Sequence, residues 1–92
     1  MQTTRFIISG KVQHVFFRAS AKEKAIELNL TGRVKNLSDG SVEIIATGNE
    51  ESLKHLEEWC AEGPRRARVD RLVKQTLPLQ VFHGFTIDRR ED

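Results

Sequence analysis

The triplet Ser38-Asp39-Gly40 separates two runs of strand character, Gly32 to Leu37 and Ser41 to Gly48. An Asp-Gly pair at such a junction accepts the left-handed backbone of a tight turn, so the two runs are predicted to fold back as an antiparallel hairpin. Alternation then sets the faces: Val42, Ile44 and Ala46 look inward, while Glu43 and Thr47 look outward. Elements of other periods flank this hairpin. Arg5 to Gly10 is apolar and partly β-branched and reads as the first strand. Arg18 to Leu28 reads as a helix, with Phe17, Ala21, Ala25 and Leu28 on one stripe and Asn29 as a left-handed stop. Asn49 caps a second helix, whose stripe is Leu53, Leu56 and Cys60 with Trp59 alongside, and Gly63-Pro64 ends it. Ala67 to Lys74 is the fourth strand and Phe85 to Asp88 a short fifth.

The order β-α-β-β-α-β, plus a short C-terminal strand, admits few topologies once each crossover is right-handed. The economical one is an α+β split β-α-β sandwich: an antiparallel sheet with two helices on one face. Strands one and two then run in the same direction with strand three between them. The loop leaving strand one and the far end of strand two consequently meet at one edge of the sheet. With 92 residues and no linker or repeat, residues 1–92 are expected to form a single domain. No run approaches the ~20 apolar residues of a membrane span, and no secretory signal is visible. Cys60 is the only cysteine, which excludes an internal disulfide and favours a reducing, cytoplasmic setting. A net charge of +2 permits anionic ligands but falls short of a dedicated nucleic-acid binder.

The loop "GKVQHVFFR", Gly10 to Arg18, lacks an acid, a serine and a cysteine. What it offers is backbone. A strand that ends in glycine and passes through a short loop into a helix gathers free amides at a helix N-terminus, where the dipole favours negative charge. Arg18 adds a planar fork suited to two phosphate oxygens. The pattern points to a phosphate or carboxylate cradle and is not a Walker loop, since G-x-x-x-x-G-K-[ST] is absent. Phe16 and Phe17 are read as core or rim residues, and Lys11 as a surface charge. In "GRVKNLSDGSVE", Val34 and Asn36 share the helix-covered face of strand two, opposite to Arg33 and Lys35. A buried amide there needs partners. Asn36 either bonds the hairpin that follows or positions a water beside an anion held by the loop.

On these residues the chain resembles the acylphosphatase family. "GKVQHVFFR" is similar to the signature G-x-V-Q-G-V-x-F-R at Gly10, Val12, Gln13, Val15, Phe17 and Arg18, and the Asn36 stretch is similar to the family's second block. Gly63-Pro64 followed by Ala67 to Val69 extends the likeness over nearly the whole chain. The resemblance implies a ferredoxin-like fold and hydrolysis of acyl phosphates to carboxylate and phosphate. It implies no metal, no cofactor and no covalent intermediate. It also implies that amides of Gln13, His14, Val15, Phe16, Phe17 and Arg18 bind the phosphoryl oxygens, with the Arg18 guanidinium. By the same resemblance Asn36 would orient the attacking water, and Arg18 and Asn36 would be the catalytic pair. The partners expected are a small acyl phosphate and inorganic phosphate, with neither nucleic acid nor membrane, on a monomer. His14 stands where the signature has glycine. Left-handed backbone is costly for most side chains but is visited by histidine more than by most. Its ring can crowd the phosphate or, when protonated, add charge beside it. The expectation is reduced or pH-shifted activity. The alternative is a degenerate anion-binding module with little or no turnover.

Other chemistries fit less well. Cys60 and Arg66 have the C-x5-R spacing of cysteine-dependent phosphatases, but Cys60 ends a helix, where the dipole disfavours a thiolate. His14, His55 and His83 share no metal-ligand spacing. An RNA-binding reading wants aromatics on the open sheet face, which is expected to show Arg33, Lys35, Glu43 and Thr47 instead.

Overall fold

A computed structural model describes residues 1–90. Five strands and two helices follow in the expected order: β1 (Gln2–Lys11), α1 (Phe17–Glu27), β2 (Thr31–Asn36), β3 (Val42–Gly48), α2 (Glu50–Glu62), β4 (Arg68–Leu77) and β5 (Phe85–Asp88). The sheet order is β4-β1-β3-β2-β5. β3 pairs antiparallel with both β1 and β2, so β1 and β2 run the same way, as the hairpin and crossover argument requires. α1 lies over β2 and β5, and α2 over β1 and β4. No helix among the described residues is long and apolar enough to cross a membrane.

One expectation needs correction. The sheet is mixed, not wholly antiparallel, because β5 joins the edge strand β2 in parallel, Gly32 opposite Phe85 through Lys35 opposite Asp88. The cause is the path of the connection. β4 ends beside the start of β1, with Leu77 opposite Thr3, and β5 begins beside Gly32 at the start of β2. Residues 78–84 therefore travel along one end of the sheet and deliver β5 pointing the same way as β2. Strands β1 and β4 also run longer than their apolar cores suggest. Thr3 and Thr4 pair with Thr47 and Ala46 on one side and with Leu77 and Thr76 on the other, which extends both elements.

The core lies between sheet and helices. Phe6, Ile8, Val34, Val42, Ile44 and Ala46 from the strands meet Phe17, Ala21 and Ala25 of α1 and Leu53, Leu56 and Cys60 of α2. Phe17 packs edge-on against Trp59 with ring centroids 5.4 Å apart. Truncating a buried ring of this kind typically costs about 3–5 kcal/mol. Asn49 caps α2 by accepting a hydrogen bond from the Ser52 amide at 2.8 Å, and Asn29 ends α1 in the left-handed region at φ 61°.

Glu43 and Thr47 do point away from the helices, but the expectation that they are exposed fails. Each is buried, at 6% and 3% exposure. Glu43 Oε2 accepts from Arg5 Nε at 2.7 Å. Thr3 and Thr47 share a hydroxyl–hydroxyl bond of 2.6 Å, and Gln80 closes over both: its amide donates to Thr3 Oγ1 and its carbonyl accepts from Thr47 Oγ1. The crossing segment covers that end of the open face.

Candidate active site

The end of β1 is pinned by close backbone packing. Gly10 has φ 131°, and a Cβ built there would lie 2.2 Å from the Arg68 carbonyl oxygen. The β1–β4 register shifts between Ser9 and Gly10. A side chain at this position would push β4 away.

Beyond Lys11 the loop is held by two apolar pegs, Val12 and Val15, exposed by only 1% and 4%. Between and after them His14 and Phe16 take left-handed backbone, with φ 61° and 62°, while Val15 does not. Alternation of this kind curls successive amides toward one point, as in backbone anion sites. His14 thus adopts the conformation expected of the glycine it replaces, and its side chain is exposed. Phe16 is the N-cap residue of α1, yet no side chain caps this helix and its first turn holds no acidic residue. The positive end of the helix dipole is therefore free for a ligand.

A cleft of about 470 Å³ opens at this point. Val12, His14 and Phe16 line it from the loop, Phe17, Arg18 and Ala19 from α1, Asn36 from β2, and Ile87 and Arg89 from the end of β5. Among the described residues, two that bear a guanidinium and none that bears a carboxylate line this space, which suits an anion.

Asn36 is 5% exposed, and its Oδ1 is buried with no hydrogen-bond partner among the described residues. An unpaired buried amide oxygen is costly, and Asn36 is also among the residues that line the cleft. The alternative weighed from sequence, that Asn36 bonds the following turn, accounts for none of this atom's capacity. The turn has its own fastenings. Asp39 Oδ1 accepts from the Ser41 hydroxyl at 2.5 Å and from its amide at 2.9 Å, and these bonds, the side-chain one first, hold the Asp39 carboxyl below its usual range.

Of the residues expected at the site, His14, Phe16, Phe17, Arg18 and Asn36 come together around the cleft. Gln13 and Val15 do not line it. Val15 is core, and Gln13 sends its side chain to the Leu37 and Ser41 carbonyls. Any part they take is through the backbone. Phe17 is buried as expected; Phe16, also expected to pack, is 72% exposed. Arg89 and Ile87 escaped the sequence reading. The available signal was period-2 alternation: Phe85 and Ile87 share the helix side, so residue 89 follows on that side.

Cys60 is fully buried on α2, and burial, with Glu57 adding to it, pushes its thiol well above the ordinary range. Arg66 is exposed. The C-x5-R spacing therefore assembles no phosphatase loop. His55 is exposed on α2 and His83 exposed in the crossing segment, away from His14, and no three metal-ligating side chains gather among the described residues.

The family model for acylphosphatases matches residues 4–87. An acylphosphatase of Marinobacter nauticus is 58% identical over 80 residues, covering 86% of this chain and 87% of the relative. The chain belongs to the acylphosphatase family. Solved acylphosphatases have the same fold. That of Coxiella burnetii superposes with TM-score 0.92 at 42% identity, covering 95% of this chain and 92% of its own. That of Bacillus subtilis gives 0.92 at 35% identity, covering 96% and 99%. The ferredoxin-like α+β architecture expected from the resemblance is the one observed, with the parallel β5 edge as its addition.

Proposed function

We propose that this acylphosphatase hydrolyses acyl phosphates to a carboxylate and phosphate at the cleft between the 12–16 loop and Asn36. The phosphoryl group sits on the loop amides and the first turn of α1, with Arg18 supplying a fork for two of its oxygens. A water donates one hydrogen bond to Asn36 Oδ1, which turns its lone pair toward phosphorus. The water oxygen bonds to phosphorus as the bond to the carboxyl oxygen breaks, and that electron pair leaves with the carboxylate. The remaining water proton passes to the phosphate product. Carboxylates are good leaving groups, with conjugate acids of pKa about 4, so positioning and charge stabilisation carry the reaction without a general base. The reading invokes no metal and no covalent intermediate.

The observation that carries this reading is the convergence of Asn36, Arg18 and the left-handed loop on one cleft, with hydrogen-bonding capacity left unused on the Asn36 side chain. His14 keeps its amide in the conformation the loop requires, which favours a working enzyme over a site that only binds anions. A cytoplasmic setting accords with a lone reduced thiol.

The test is the hydrolysis of benzoyl phosphate with chelator present, from about pH 5 to 8, against a no-enzyme control. Turnover well above background throughout is expected. Phosphate binding without turnover would mean that the cradle is intact but does no chemistry. Activity lost in chelator would bring a metal back into the mechanism.

A further inference from the structure

The in-line geometry of the proposed reaction gives the cleft a direction. The attacking water lies on the Asn36 side of phosphorus, and the departing carboxyl oxygen lies opposite. Asn36 is at the buried end, 5% exposed, so the acyl group extends toward the open mouth. The loop and helix start contribute one large apolar group there, the ring of Phe16, which lines the cleft and is 72% exposed.

Local structure does not account for that ring. Phe16 occupies the N-cap position of α1 at φ 62° and ψ 23° and makes no side-chain capping bond. Left-handed backbone is unfavourable for a bulky side chain, and glycine or asparagine serves it better. Burial does not offset the cost, because the core at this junction is filled by the next residue, Phe17, at 1% exposure. A strained, largely exposed aromatic at the mouth of a cleft is a surface left for a ligand.

Resting on the hydrolase reading above, we infer that Phe16 is the specificity residue for the acyl half of the substrate. Its ring is an apolar platform that favours acyl phosphates with an aryl or extended apolar acyl group over acetyl phosphate. A flat aryl group can stack on the ring or meet its edge, whereas a single methyl covers little of it.

The test compares kcat/KM for benzoyl phosphate and acetyl phosphate in the unmodified protein, in Phe16→Gly and in Phe16→Leu. Glycine suits the left-handed backbone, so this variant removes the ring without adding strain. The benzoyl-to-acetyl ratio of kcat/KM is expected to fall about fivefold in Phe16→Gly, carried by KM for benzoyl phosphate, and by less in Phe16→Leu. If Phe16→Gly does not fold, Phe16→Leu carries the comparison alone. A ratio unchanged in the variants overturns the assignment even where absolute rates fall, because the ring would then be shaping the loop. Failure of the unmodified protein to accelerate either substrate is a different result: it removes the hydrolase reading, and this inference with it.

Discussion

Gln13 is tied to Leu37: its Nε2 donates to the Leu37 carbonyl at 2.8 Å and, with its second hydrogen, to the Ser41 carbonyl at 2.9 Å. These bonds fasten the loop after β1 to the residue that immediately follows Asn36. One side chain thus bridges the proposed phosphate cradle and the proposed water site, in addition to the Val12 and Val15 pegs.

Gln13→Ala should therefore affect both stability and rate. Two net hydrogen bonds of about 1 kcal/mol each are lost, which lowers the Tm of a domain this size by roughly 10 °C. Turnover should fall about tenfold as the two halves of the site lose their common reference. Gln13→Glu should be worse, since an ionised carboxylate would face two carbonyl oxygens and can donate to neither. Thermal denaturation and kcat for benzoyl phosphate check both variants, and a Gln13→Glu protein as active as the unmodified one would refute the clasp.

The same turn has a pH-dependent component at Asp39. Its carboxyl is held below the usual range by the Ser41 hydroxyl first and the Ser41 amide second, so folding favours the ionised form. A depressed carboxylate contributes stability above its unfolded pKa of about 3.9, and that contribution is lost as pH falls through the lower folded value. The Tm difference between the unmodified protein and Asp39→Ala should be full at neutral pH and close as the solution is acidified below that range. Asp39 is solvent-exposed, so the difference should be small, on the order of a few degrees. Melts taken from about pH 7 down to about pH 2 would show a constant difference above the unfolded pKa and convergence only below it; curves that stay parallel to the acid end would contradict it.

Gly10 opens the phosphate-loop motif, but its part is architectural. A Cβ there would meet the Arg68 carbonyl at 2.2 Å and the Asp70 amide nitrogen at 2.8 Å, both backbone, at φ 131°. Neither can move without displacing β4. Gly10→Ala should cost about 2–4 kcal/mol, with the folded fraction still binding phosphate. Urea unfolding beside phosphate inhibition at low temperature separates these effects, and an undestabilised Gly10→Ala protein would refute the close approach.

Most of this architecture is legible because each element carries its own local signal: Asp39-Gly40 for the hairpin, the stripe from Phe17 for α1, Asn49 for α2. Asn36 is legible for the same reason, since alternation from Val34 places it under the helices. What escaped depends on chain paths that leave no local mark. The parallel docking of β5, which brings Arg89 to the cleft, is decided by the route of residues 78–84. That route also buries Thr47 beneath Gln80, which alternation alone marks as exposed. The stripe marks Phe17 as buried, but nothing local marks the neighbouring Phe16, which the left-handed N-cap position of α1 leaves exposed. The Gln13 clasp joins two segments far apart in sequence through a side-chain rotamer, which no pattern encodes.

Cys60 provides a control on mechanism. Its thiol is buried among core residues, and burial raises its pKa, Glu57 adding to the effect. The neutral thiol is a poor nucleophile. A disulfide exchange reagent at neutral pH should label the native protein at least about 100-fold more slowly than the denatured one, with activity intact throughout. Rapid native labelling that abolishes turnover would revive a cysteine mechanism.

Asn36→Ala separates a catalytic duty from a structural one because the two predict opposite effects on stability. If Asn36 served the fold, its loss would destabilise the hairpin. Its Oδ1 is instead buried without a partner among the described residues, so removing it relieves an unmet desolvation cost that offsets the small cavity left behind. The Tm should stay within about 5 °C of the unmodified protein. Turnover should fall at least about 100-fold, because the water loses its orientation while the phosphoryl group keeps the loop amides and Arg18. Inhibition by inorganic phosphate should change by no more than about threefold, whereas Arg18→Ala should weaken it tenfold or more. Asn36→Asp adds a sharper contrast: a carboxylate beside the phosphoryl group repels it, so KM should rise along with the loss of rate. Full turnover in Asn36→Ala, or parallel losses of phosphate affinity and stability, would remove Asn36 from the role of positioning water.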